Sequence, residues 1–140
     1  MHKTKIEFIK LEHPGIAPWL CRLAQEFFGQ GKRVLVMVEN DERAMALDRY
    51  MWVWEKSAFV PHVWDSGAVE SYDEPVVITT KENNGNGAVV LVDAKGCSFN
   101  FARRFEHVVE FAPTYAQEEV AAARKRFMRW RQEGYLPHVR

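Results

Sequence analysis

The stretch Arg33-Val34-Leu35-Val36-Met37-Val38 is apolar, and largely β-branched, on both of its alternating faces. A strand with no polar side has to be covered above and below, as in a parallel sheet enclosed by helices. The spacing therefore predicts a buried strand here, placed at the middle of the sheet. The segments before it agree. Ile6, Phe8 and Leu11, with Ile9 between them, read as a first strand that His13-Pro14-Gly15 breaks. From Pro18 to Phe28, Leu20, Leu23, Ala24, Phe27 and Phe28 fall at helical spacing, and Gly29-Gln30-Gly31 supplies a left-handed stop.

The pattern then repeats. Asn40-Asp41 can cap a helix striped by Ala44, Leu47, Met51 and Trp54. Phe59 to Trp64 reads as a short strand whose Pro61 places it at an edge or a bulge. Val76 to Thr79 and Val89 to Val92 are short strands separated by the turn-rich Asn83-Asn84-Gly85-Asn86-Gly87, the segment expected to be most flexible. A short helix over Phe99 to Phe105, a last strand over His107 to Phe111 and a long final helix from Gln117 to Glu133, ended by Gly134, complete the reading. Strands alternating with helices imply an α/β domain with a largely parallel central sheet flanked by helices. At 140 residues, the chain is one domain, 1–140, with no internal repeat and no linker.

Composition removes several function classes. With 47% hydrophobic and 27% charged residues, the chain can bury a core and is not disordered. Lys plus Arg (19) balance Asp plus Glu (19), so any attraction for a polyanion has to come from a local patch. The two cysteines, Cys21 and Cys97, form no metal-spaced set, and the charged alternating start is no signal segment. No apolar run approaches the roughly 18 to 20 residues of a spanning helix, so a cytoplasmic protein without a membrane partner is expected.

The search for catalytic chemistry comes back empty. Gly29-Gln30-Gly31-Lys32 ends a helix and opens a strand, the reverse of a phosphate loop, and the first strand is followed by no glycine fingerprint, so no cofactor is indicated. The five histidines, His2, His13, His62, His107 and His138, form no HxH or HExxH pattern, so no metal site is indicated. Glu118 and Glu119 are helical neighbours pointing in different directions, and Ser57, Ser66, Ser71 and Ser98 include no nucleophile elbow. A catalytic residue is therefore not assigned.

Two clusters remain. In Arg124-Lys125-Arg126-Phe127-Met128-Arg129-Trp130-Arg131, basic and aromatic residues interleave; Arg124, Phe127 and Arg131 share a helical stripe, and Arg126 and Trp130 make an adjacent pair. Such a surface pairs guanidinium groups with carboxylates or phosphates and seats an apolar ring. The same pattern also fits an amphipathic helix with Phe127 and Trp130 in the core and the arginines solvated. As a function it serves either an acidic peptide or single-stranded nucleic acid bound directly. The second cluster is Tyr50, Trp52, Trp54, Phe59, Val60, Pro61 and Trp64, which reads either as core or as an aromatic anchor for a protein partner.

In their order along the chain, these pieces resemble the chi subunit family of bacterial DNA polymerase III. They are Gly31-Lys32-Arg33-Val34-Leu35-Val36, Glu39, Leu47-Asp48, Trp52, Phe59-Val60-Pro61-His62, Val108-Val109-Glu110-Phe111-Ala112-Pro113 and the arginine-rich helix ending at Gly134-Tyr135. The resemblance implies a Rossmann-like nucleotide-binding fold without its phosphate loop, and a non-catalytic subunit of the clamp-loader assembly. It implies a psi subunit on the face of Trp52, Phe59, Val60, Pro61 and His62, where the family also allows a helicase-like protein. It implies further that the acidic C-terminal tail of single-stranded DNA-binding protein meets Arg124, Phe127, Met128, Arg129, Trp130, Arg131 and Gly134, so that contact with nucleic acid is mainly indirect. In that pocket the tail carboxylates would pair with Arg124 and a neighbouring arginine, and its last aromatic would pack on Phe127 or Trp130. Met128 stands where the family has a lysine, which leaves Arg129 or Arg131 to supply the missing cation.

Overall fold

The computed structural model describes residues 4–54 and 59–140. His2 and Ser57 lie outside the described residues. The elements run β1 (Lys5–Leu11), α1 (Ala17–Gly29), β2 (Val34–Met37), α2 (Asp41–Val53), β3 (His62–Trp64), β4 (Val76–Thr79), β5 (Val90–Asp93), α3 (Phe99–Ala102), β6 (His107–Pro113), α4 (Gln117–Gln132) and β7 (His138–Val139). Every strand pair is parallel, and the seven strands lie in the order β3-β4-β2-β5-β6-β1-β7.

The absence of alternation in β2 has its cause in two cores. Val34 and Val36 pack with Leu20, Leu23, Ala24 and Phe27 of α1 and Ala44, Leu47 and Met51 of α2. Leu35 and Met37 point the other way, into a core closed by Phe101, Ala102, Phe105 and Trp130. α1 and α2 thus cover one face of the sheet, and α3 and α4 the other. This arrangement follows from right-handed crossovers that run leftward along the sheet through β1, β2 and β3 and rightward afterwards.

Three expectations are corrected. β2 is interior but third in the order, and the middle strand is β5. β6 is not the last strand, because β7 pairs with β1 through Glu7–His138 and Phe8–Val139, a segment too short to carry a period of its own. The Asn83–Gly87 turn is tied down rather than loose. The Asn86 side-chain amide donates to the carbonyls of Val34, Glu74 and Pro75, each at 3.2 Å, while the Asn86 backbone carbonyl accepts from Arg33 Nε at 2.6 Å. Asn84 exchanges a pair of hydrogen bonds with the backbone of Ala88. Elsewhere the reading holds: Asn40 accepts from the Arg43 N–H to cap α2, Gly31 ends α1 at φ +75°, and β3 is an edge strand.

Asn86→Ala removes the donor that ties the Val34, Glu74 and Pro75 carbonyls together, of which Glu74 keeps Arg33 and Pro75 keeps the Val34 N–H, and should lower stability by about 1–2 kcal/mol. Urea denaturation reads this directly, and an unshifted midpoint would mean that the turn contributes nothing to the fold.

Candidate protein-interaction surfaces

α4 carries Glu118 and Glu119 in its first turn and Arg129 and Arg131 in its last, the order that opposes the helix dipole least. What orients the helix is Glu110 of β6, only 2% exposed. One of its oxygens accepts from Arg126 Nε at 2.6 Å and the other from Trp130 Nε1 at 2.7 Å, while Arg126 also donates to the Phe111 carbonyl. Burial and the neighbouring Asp93 push the Glu110 carboxyl above its ordinary range, and Arg126 and Trp130 pull against them. Trp130 packs edge-on against Phe99 at 4.8 Å and Tyr135 at 5.0 Å.

The expected ring seat on Trp130 is therefore corrected. At 2% exposure its indole belongs to the core, and the Arg126–Trp130 pair faces Glu110 rather than a ligand. Phe127 is half-buried and meets Phe8 edge-on at 5.3 Å. Gly134, at φ +91°, makes the turn that ends α4: its N–H reaches the Arg131 carbonyl and the Tyr135 N–H reaches that of Trp130, the double bond of a Schellman ending.

What remains outside forms a shallow groove lined by Ala121, Arg124, Lys125, Met128, Arg129 and Gln132. Three cations flank an exposed Met128, with Arg129 also lying 4.5 Å over the Phe99 ring. Arg131 is exposed beside Phe127, away from the groove. Lys125 was not among the predicted pocket residues. Helical spacing could have found it, since Ala121, Lys125, Met128 and Gln132 follow one another at four, three and four.

The second surface lies where α2 ends and the chain enters β3. Trp52 is 56% exposed and Phe59 66%, with ring centroids 5.9 Å apart. Beneath them His62 is buried, its Nδ1 bonded to the Val60 carbonyl at 2.8 Å and its Nε2 facing Asp48 at 3.2 Å, and the Trp52 ring covers it at 4.6 Å. Of the five predicted residues, Trp52 and Phe59 form the surface, Pro61 is half-buried, and Val60 and His62 are buried beneath it.

Neither cysteine is poised for chemistry. Burial pushes the Cys21 thiol up to about 12, and burial together with Asp93 pushes Cys97 up as well. Among the described residues no group of three His, Cys, Asp or Glu side chains could hold a metal ion, and no helix is long and apolar enough to cross a membrane.

With this geometry in place, the family model described as DNA polymerase III chi subunit, HolC, matches residues 3–138. The chain belongs to the DNA polymerase III chi subunit family. It is similar to the DNA polymerase III subunit chi of Pseudomonas aeruginosa, at 34% identity over 82% of this chain and 78% of that one. It is similar also to that of Escherichia coli K12, at 30% identity over 83% of this chain and 78% of the relative. Among solved structures the crystal structure of T4 UvsW aligns with a TM-score of 0.72 at 12% identity. That match covers 98% of this chain and 41% of the other, so the chi-family domain spans under half of that protein and shares its fold alone.

The two halves of the α4 face of this chi-family chain should respond differently to truncation. Glu110→Ala strands Arg126 and the Trp130 N–H and should cost about 3 kcal/mol, whereas Arg124→Ala on the outside should stay within about 0.5 kcal/mol. Parallel guanidinium melts compare them, and equal losses would mean that Glu110 does not anchor the helix.

Proposed function

We propose that this chi-family chain is a non-catalytic adapter of the replication machinery, joining the psi subunit of the clamp loader to the acidic C-terminal tail of single-stranded DNA-binding protein. The observation that carries the reading is the presence of two exposed surfaces of opposite chemistry, held apart by the sheet. One is the aromatic Trp52–Phe59 pair at the edge strand β3; the other is the basic groove on the outer side of α4, on the opposite face. The naming of the relatives as subunits of DNA polymerase III supports it. A cytoplasmic site of action follows from the reading.

The chemistry of each surface fits its proposed partner. Two flat rings exposed side by side and braced from below are the kind of anchor that dominates protein interfaces. In the groove, Arg124, Lys125 and Arg129 offer cations to the tail carboxylates around the apolar Met128. Lys125 stands one helical turn before Met128 and Arg129 directly after it, so the loss of the family's lysine leaves the groove basic. The apolar end of the tail then rests on Met128, since Trp130 lies within the core and Phe127 packs inward against Phe8.

Fluorescence anisotropy of a labelled acidic peptide ending in phenylalanine tests the groove. The free-carboxylate peptide should bind, its C-terminal amide should not, and Arg124→Ala should weaken binding roughly ten- to a hundredfold, the loss of one charge-assisted contact. If a single-stranded oligonucleotide binds instead, with steep salt dependence, the chain is a direct nucleic-acid module and the bridging reading fails.

Trp52→Ala and Phe59→Ala should reduce co-purification with psi while tail affinity and melting temperature stay as they were. Loss of both bindings together would show that the aromatic pair supports the fold and not a partner.

A further inference from the structure

At the carboxyl edge of the sheet lies a cavity of about 660 Å³ that neither proposed surface uses. Its floor is formed by the strand ends at Leu11, Val38, Asp93 and Phe111, and its walls by α1, α2 and α4. The position has a topological cause. β1 and β6 are neighbours, yet the helices that follow them, α1 and α4, pack on opposite faces of the sheet. β2 and β5 diverge in the same way towards α2 and α3. Divergence of this kind opens the crevice in which open α/β sheets hold their ligands, and the volume lies within the range of small-molecule sites.

The lining says what could enter. Leu11, Leu20, Leu47 and Phe111 make the interior apolar, and Tyr50 adds a ring on the α2 wall. Several of the lining charges already have partners, the exposed Lys95 among them. Asp93 accepts from the backbone N–H groups of Lys95, Gly96 and Cys97; Arg126 is held by Glu110, and Lys95 Nζ donates to the Thr80 carbonyl. The groups left to meet a ligand lie at the mouth: Glu39 and Arg43 from the start of α2, Tyr115 and Glu119 from the start of α4. Tyr115 lies within the electrostatic reach of Glu119 at the start of α4 and of Arg43 and Glu39 at the start of α2, so the two walls meet there. Arg43 is already ion-paired with Glu39 at 3.2 Å, and Glu119 offsets the exposed Lys95, so the mouth has no surplus cation to hold a phosphate. The β1–α1 turn, where a dinucleotide-binding domain sets its glycine cradle, carries His13-Pro14-Gly15, and Pro14 lines the cavity.

We propose that this cavity binds a nucleoside: a flat ring carrying neutral donors and acceptors, and no phosphate. The ring enters the apolar interior beside Tyr50, and its polar edge and sugar hydroxyls meet Glu39, Arg43, Tyr115 and Glu119.

Calorimetric titration of the full chain with adenosine, guanosine, cytidine and thymidine, each beside its 5′-triphosphate, tests the assignment. At least one nucleoside should bind about tenfold or more tightly than its own triphosphate. Ala122→Trp, at an exposed position of α4 that lines the cavity, should weaken that binding by about tenfold or more. Ala46→Trp obstructs the cavity from α2 should the first variant prove unstable. Glu119→Lys should narrow the gap between nucleoside and triphosphate. Absence of binding by all four nucleosides, equal or tighter binding of the triphosphate, or indifference to a folded cavity-filling variant would each overturn it.

Discussion

The Glu110 carboxylate decides which side of the basic helix the solvent sees. A charge at 2% exposure needs partners for both oxygens, and α4 supplies them from Arg126 and Trp130, one helical turn apart. Once that turn is fixed, the rest of the helix has no freedom to rotate. Ala123 and Phe127 fall on the sheet side, and Arg124, Lys125, Met128 and Arg129 fall outside. A helix with five arginines and lysines between 124 and 131 could present many faces. The buried acid selects one of them and turns Arg124, Lys125 and Arg129 to the outside, where Arg129 pairs with Glu133 at 3.6 Å.

The all-parallel sheet sets the larger geometry. Parallel strands need crossovers, and crossovers of one hand that reverse direction along the sheet distribute helices to both faces. The aromatic pair at β3 and the basic groove on α4 are consequently on different faces and toward different ends of the strand order. The same reversal opens the carboxyl-edge cavity between diverging helices. One topological fact thus separates the aromatic pair from the basic groove and opens the cavity between the helices.

Where the residues carried their own periodicity, the chain could be read directly. β2, α1, the cap at Asn40 and the edge strand marked by Pro61 all lie where their patterns place them, because burial on both faces, helical spacing and a missing N–H are local properties. Trp130 was harder, since an interleaved basic and aromatic run looks the same from either side. The spacing Val120, Ala123, Phe127, Trp130, at three, four and three, carries the inward stripe, with small Ala123 allowing close approach. Glu110 within Val108-Val109-Glu110-Phe111 announced a buried charge without naming its partners, because those partners come from another element. The role of Asn86 is hidden in the sequence for a related reason. Turn-forming residues show where the chain bends, while the three carbonyls that receive its amide become visible only when β2 and the approach to β4 are brought together.

Overall neutrality bears on the peptide reading proposed for the basic groove. With 19 basic and 19 acidic side chains, the chain has no long-range field to gather polyanions, so attraction acts over about one Debye length around α4. A long nucleic acid would gain from a track of phosphate contacts, which a groove bounded by Ala121 and Gln132 is too short to supply. A short segment that places several carboxylates and one apolar end within that span can use all three cations and Met128 at once. The dimensions of the groove, more than its charge, therefore favour a peptide terminus over a strand of DNA.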